Sequence, residues 1–131
     1  MGDGTEIGKV RGLGPGHQGA HHWLHQRYTA FGNLFLGAWF VTSLLLLSSL
    51  DMDTVRDWLA KPIPATALIL LIVSTFYHAR LGLQVAIEDY VHDEGSKAGL
   101  IGLLSLVFVA VGTFAVFCVL KISLTTGGSI L

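Results

Sequence analysis

The sequence predicts an all-α integral membrane protein with three transmembrane helices. Hydrophobic residues make up 52% of the chain and charged residues only 13%, and the mean hydropathy is +0.63. The charges crowd into the ends and connections. They leave three long apolar runs, at about 29–50, 65–90 and 98–124. Each run holds the ~20 residues that cross a ~30 Å hydrocarbon core at about 1.5 Å per residue. A chain of 131 residues is one domain's worth. It divides into an extended arm over 1–19 and a three-helix membrane region over 20–131. A net charge of −1 and a pI near 6.6 give no sign of a nucleic-acid partner.

The arm is rich in glycine, carries scattered charges and Pro15, and is expected to gain order only against a partner surface. It lacks an early apolar core, so the first membrane helix itself is expected to direct insertion. In the segment HQGAHHWLHQR, His17, His21 and His25 recur at every fourth residue and would stack along one helical face. No carboxylate or cysteine joins them. That favours an interfacial segment, with Trp23 and Tyr28 at headgroup depth, over a metal site. Arg27 stands at the mouth of the first membrane helix. It either snorkels to the interface or clamps an anionic group in two-pronged fashion, a haem propionate being one example.

The first membrane helix, 29–50, is leucine-rich, and Gly32, Gly37 and Ala38 suit it to close helix contact. Trp39 and Phe40 are expected to pack at mid-span. In the acidic connection 51–64, residues Asp53 to Leu59 predict a short amphipathic helix on the membrane surface, with Trp58 as its anchor.

The second membrane helix, Ala65 to Tyr90, organises the rest. It follows Pro62 and Pro64 and carries His78 near its middle, with Asp89 and Tyr90 at its far end. An ionisable group at membrane depth is costly and marks a candidate functional site. At about 100° per residue, with His78 at zero, Ser74 falls at about −40°, Gly82 at about +40° and Asp89 at about +20°. One face therefore carries an imidazole, then a glycine one turn on, then a carboxylate ~16 Å away at the interface. A missing side chain beside a histidine leaves room for something flat, such as a haem held by the imidazole, or for a neighbouring helix. Arg80 points about 200° away from His78. It is expected to meet a carboxylate, backbone carbonyls or water at a contact with another chain.

A polar loop, Val91 to Lys97, leads to the third membrane helix, 98–124. Gly99, Gly102 and Gly112 lie on it, Ser105 is placed to bond within the helix, and the whole reads as a packing helix. Cys118 reads as a small hydrophobe without a disulfide partner. The tail TTGGSIL is expected to be loosely ordered. Three spans put the termini on opposite sides. Lys9, Arg11 and Arg27 against a slightly acidic first connection place the N-terminus in the cytoplasm, with Asp89 and Tyr90 at the cytoplasmic interface.

The run His78-Ala79-Arg80-Leu81-Gly82, followed by Glu88-Asp89-Tyr90-Val91-His92, resembles the small membrane-anchor subunit of succinate dehydrogenase, respiratory complex II. The alphaproteobacterial and mitochondrial branch is the nearest match, through His22-Trp23 and Gln26-Arg27-Tyr28-Thr29-Ala30. The resemblance runs from about His17 to the end of the third helix. It implies that His78 is an axial ligand to the iron of a haem b shared with the second cytochrome b anchor subunit. It implies that Tyr90 hydrogen-bonds a ubiquinone carbonyl, with Asp89 as its neighbouring acid in the quinone site. Gly82 then makes room beside the haem, and Arg27 lies near the propionates. The implied partners are that second anchor, an iron–sulfur subunit, a flavoprotein subunit and membrane lipid, in a bacterial inner membrane. Such an anchor does not oxidise succinate itself. Two other functions stay open on the sequence. One is the anchor of a quinol:fumarate reductase; the other is a small proton-conducting transporter subunit using His78, Arg80 and Asp89.

Overall fold

The computed structural model describes residues 16–127 of the chain, and the described elements are all α-helices. They are α1 (Gly16–Leu45), α2 (Met52–Ala60), α3 (Pro62–Tyr90) and α4 (Glu94–Gly127). Three of them, over Trp23–Leu45, Pro62–Tyr90 and Glu94–Thr126, are long and apolar enough to cross a membrane.

The boundaries depart from the sequence reading in five places. α1 begins at Gly16, so residues 16–19 are helical where an extended arm is predicted; residues 1–15 lie outside the described residues. The fourfold spacing of the histidine segment extends the membrane helix rather than forming a separate surface element. α1 also stops at Leu45, five residues short of the predicted end. Its last turn closes through Leu46 N–H to the Thr42 carbonyl (3.1 Å) and Leu47 N–H to the Leu44 carbonyl (3.3 Å). Beyond that turn, the Ser49 hydroxyl donates to the Asp51 carboxylate and meets Thr54 Oγ1 at 2.9 Å. Serine hydroxyls that take up local bonds in this way end helices. The Ser49 contact, with that of Thr54 behind it, holds the exposed Asp51 carboxyl below its ordinary value.

The loop between α3 and α4 is only 91–93, because Asp93 starts α4 early. Its carboxylate accepts the Ser96 N–H at 2.8 Å and its carbonyl accepts the Lys97 N–H at 2.9 Å. Such an N-cap satisfies donors that the first turn leaves orphaned. At the other end α4 continues to Gly127, past the predicted 124, leaving 128–131 of the tail outside the described residues. α3 starts at Pro62, with prolines in its first turn, where the missing N–H has no intrahelical partner to lose.

The spanning helices stand in a row, with α3 in the middle. α3 packs on α1 and on α4, while α1 and α4 do not approach each other among the described residues. Glycine sets the approach at one point on each seam. A Cβ on Gly32 would lie 3.6 Å from Ser74 Oγ, and one on Gly112 would lie 3.5 Å from the Phe76 ring. Gly37, Gly99 and Gly102 face open space, so the contact role expected for Gly37 is not used within this chain.

Hydrophobic packing concentrates at one end of the row, where α2 lies across α3 and α4. Trp58, Leu59 and Val119 are buried there, with Trp39, Phe40, Leu68, Ile69 and Ile122 around them. The short helix at 53–59 is thus present, over Met52–Ala60, but Trp58 is no headgroup anchor. Only 9% of it is exposed, and its indole stacks on Trp39 with centroids 6.0 Å apart and planes 24° apart. Phe40 closes the other side at 6.2 Å. The stacked indoles bury more apolar surface than a headgroup position would. Because α1 ends at Leu45, Trp39 and Phe40 sit near its end instead of at mid-span.

Candidate functional site

At the opposite half of the row, the α1–α3 seam turns polar. The Ser74, His78 and Gly82 stripe faces α1, where it meets Gly32, Thr29 and Gln26 in turn. His78 Nδ1 lies 2.9 Å from Thr29 Oγ1. The Thr29 hydroxyl has one proton, and two carbonyls of its own helix are in reach, His25 O at 2.8 Å and Gln26 O at 3.1 Å. With that proton turned back into α1, the hydroxyl oxygen accepts from His78, and Nδ1 is the protonated ring nitrogen. Nε2 then carries the lone pair. It has no hydrogen-bond partner among the described residues. A ring fixed through Nδ1–H with Nε2 open is the state in which histidine ligates a metal.

The same seam holds a second pair that the sequence reading missed. His25 Nδ1 lies 3.1 Å from the Tyr77 hydroxyl, their rings 6.3 Å apart. His21 and Leu81 line the groove beside them. Further along, Thr75 Oγ1 reaches Asn33 Oδ1 at 3.5 Å. The signal was in the chain: His25, Thr29 and Asn33 fall four apart, a polar row along one face of the helix. The side chain of His17, first of the fourfold histidines, lies outside the described residues. Among the described residues no three His, Cys, Asp or Glu side chains come together in the manner of a metal-ion cluster.

The other singled-out residues are not gathered at His78. Gly82 has Gln26 Nε2 3.6 Å from its missing Cβ, so the space beside it borders a movable amide of α1. Arg27 is exposed, about 160° around α1 from Thr29, and its guanidinium lies 4.7 Å over the Trp23 ring, a cation–π contact. Asp89 and Tyr90 close α3, about 18 Å along the axis from His78. Tyr90 is 84% exposed, and neither has a hydrogen-bond partner among the described residues. Next to them Gln84 donates to Glu88 at 2.9 Å.

Arg80 meets a group within this chain that the sequence reading does not name. Its Nε donates to Ser105 Oγ on α4 at 3.0 Å, within this chain. Ser105 in turn donates to the Ile101 carbonyl at 2.8 Å, the bond within the helix that the sequence anticipates. The reason is register: α3 and α4 run antiparallel through a three-residue loop, which levels Arg80 with Ser105.

Comparison with known proteins supplies a separate line of observation. The model of the family described as "Succinate dehydrogenase/Fumarate reductase transmembrane subunit" matches residues 1–117. A succinate dehydrogenase hydrophobic membrane anchor subunit of Rickettsia bellii is 36% identical over 87 residues, covering 66% of this chain and 70% of that protein. The protein of the same description in Rickettsia conorii is 34% identical over 103 residues, 78% of this chain and 82% of its own. That of Rickettsia typhi is 28% identical over 118 residues, covering 90% and 86%. No solved structure matches the chain.

Proposed function

The chain belongs to the family of succinate dehydrogenase/fumarate reductase transmembrane subunits, and we propose that it gives its complex one axial ligand of a haem b and part of a ubiquinone-reduction site. It is a multi-pass membrane anchor associated with the other subunits of an oxidoreductase complex. The names of its relatives favour succinate oxidation over fumarate reduction as the working direction.

The observation that carries the haem reading is the Thr29–His78 bond. His78 spends Nδ1 on Thr29 and would hold the iron through Nε2, and the other anchor subunit would supply the second ligand. The haem, when bound, stores and passes single electrons. Thr29 orients the imidazole. Gln26 can swing from Gly82 to admit the edge of a flat ring. Arg27, released from Trp23, is long enough to meet a carboxylate at the interface.

Tyr90 and Asp89 act at the exposed end of α3, where a lipid-soluble quinone and water both have access. The Tyr90 phenol donates to a quinone oxygen as negative charge develops there, and Asp89 holds water and passes protons inward. Reduction takes two electrons and two protons. The electrons come from an iron–sulfur subunit, since the sole cysteine here, Cys118, cannot hold a cluster. A flavoprotein subunit performs the succinate chemistry. The positive residues near the N-terminus put it, and the α3–α4 loop, on the cytoplasmic side of the bacterial inner membrane.

The test is made on the purified complex. A reducible b-type absorbance band is expected in the wild type and is expected to be lost or displaced in His78→Ala. Tyr90→Phe should keep the band while slowing quinone reduction. Losing one donor to a developing oxyanion costs ~10²-fold in an enclosed site; Tyr90 is open to water, so a loss of ~10-fold is expected. A complex with no b-type band, or an unchanged band in His78→Ala, would overturn the haem assignment and favour the proton-path reading. Unaltered turnover in Tyr90→Phe would remove Tyr90 from the quinone site.

A further inference from the structure

We propose that the groove between α3 and α4 holds one acidic phospholipid, its phosphate on the Arg80 guanidinium. The site lies on the face of α3 turned away from His78, so it stands whether or not His78 binds iron.

Arg80 sits within a membrane-crossing helix and is half-buried. Its Nε is spent on Ser105. The two terminal nitrogens have no carboxylate or other partner among the described residues. A guanidinium brings five N–H donors in a planar fork that matches a phosphate. Left unpaired at this depth it would be expensive. Its level suits a headgroup. Counting ~20 residues of hydrocarbon from the α3 start near Pro64 brings the boundary to about Gln84, where the polar Gln84–Glu88 pair begins. Arg80 is one turn, about 6 Å, inside that boundary, a depth its side chain spans by snorkelling.

From Arg80 the groove runs toward the bilayer centre. Its walls are mostly apolar, Val73 and Phe76 on α3 and Phe108, Val109 and Gly112 on α4, with Tyr77 and Thr113 the hydroxyl-bearing residues beside them. Phe76 and Phe108 meet edge to face at 5.8 Å, and Gly112 admits the Phe76 ring. A charged head at the boundary with an apolar slot beneath it has the polarity of a phospholipid in that leaflet, phosphate up and acyl chain down. Net negative charge is what the guanidinium lacks. A zwitterionic lipid would bring a second cation with its phosphate, so the acidic class is favoured.

The experiment is native mass spectrometry of the whole complex released from nanodiscs holding phosphatidylglycerol and phosphatidylcholine in equal parts. One phosphatidylglycerol is expected to survive on the wild type in preference to phosphatidylcholine. Arg80→Gln should lower that retention about five- to tenfold, and Arg80→Lys should restore part of it. Should Arg80→Gln fail to assemble, Val109→Trp fills the slot from a position 65% exposed, and it is expected to lower retention with Arg80 intact. Three results would overturn the proposal: equal retention of the two lipids, full retention in both Arg80→Gln and Val109→Trp, or a Val109→Cys variant that cross-links to a neighbouring subunit filling the groove.

Discussion

Replacing Thr29 by valine keeps the shape of the side chain and removes one oxygen. In the native seam that oxygen lies 2.9 Å from His78 Nδ1 and, with its own proton turned into α1, accepts the ring N–H. The carbonyls it caps on α1 keep their helical bonds, so the effect falls on the imidazole. Loss of an outer-shell partner lowers metal affinity or activity ~10–100-fold. His78 is half-buried, so water reaches the freed N–H in part, and the lower end of that range applies. If His78 ligates the iron as proposed, the native bond would make the ring a stronger donor and so favour the oxidised state. If a tenfold loss falls on that state alone, the one-electron potential rises by ~59 mV.

The assay is a redox titration of the b-type band in the purified complex, with haem content measured alongside. Thr29→Val should raise the midpoint and weaken haem retention, and Thr29→Ser, which keeps the acceptor, should return both toward wild type. The result that would refute the reasoning is a Thr29→Val complex with full haem and an unmoved midpoint. Such a complex would mean that Nδ1 is fixed by some other group, or that Nδ1 is itself the ligating atom. Failure of the parent assignment looks different, because then the wild type carries no band to titrate.

Other outcomes follow from the fold. Trp58→Ala removes the indole between Trp39 and Phe40 and should cost about 3 kcal/mol, the lower end for emptying an aromatic core site, read as a lower melting temperature of the complex with its absorbance spectrum unchanged. Gly32→Ala should be tolerated, since the added Cβ meets Ser74 Oγ at an ordinary 3.6 Å; Gly32→Leu should part α1 from α3 and lower haem content as His78 loses Thr29. The exposed Asp93 carboxyl is held below its ordinary 3.8, first by the Ser96 N–H and then by the Ser96 hydroxyl. Its charged form is therefore the one the fold prefers: the cap is intact above the ordinary carboxylate value and is lost as pH falls through the lowered one. Hydrogen exchange at the Ser96 amide should quicken across that acid range beyond the intrinsic rate, and should show no such step in Asp93→Ala.

What the sequence disclosed tracks the length scale of the signal. Three apolar runs announce three spans because bilayer thickness imposes one length on all of them. His78 was visible because an imidazole in hydrocarbon is conspicuous, and the angle to Gly82 placed both on one stripe. The boundaries were less legible. They turn on single hydrogen bonds, Ser49 to Asp51 ending the turn after α1 and Asp93 to Ser96 starting α4, and a hydropathy pattern does not register such bonds. Trp58 misled for a related reason. An indole on a surface helix reads as a headgroup anchor until a second indole is known to lie within stacking distance. Arg80 and Ser105 were each noticed, but their pairing depends on the antiparallel register of α3 and α4, and that depends on how short the loop is.

The row of helices also divides the labour along its length. Where α1 ends and α3 begins, α2 closes the end with Trp58, Leu59 and Val119, and this is where the buried apolar residues gather. Toward the α3 C-terminus the row opens, and three polar pairs across its seams gather there: Thr29 with His78, His25 with Tyr77, Arg80 with Ser105. A row of three leaves the flanks of α3 uncovered, since among the described residues the α1 and α4 backbones do not approach each other. A closed bundle would have sealed His78 and Arg80 within one chain and left each nothing further to bind. In the open row each polar centre keeps half its donors or acceptors for something outside the chain, Nε2 on one flank of α3 and two guanidinium nitrogens on the other. On this reading the stability of the anchor is made internally at the α2 end. Its chemistry at the Tyr90 end is completed only by what the membrane and the neighbouring subunits bring to it.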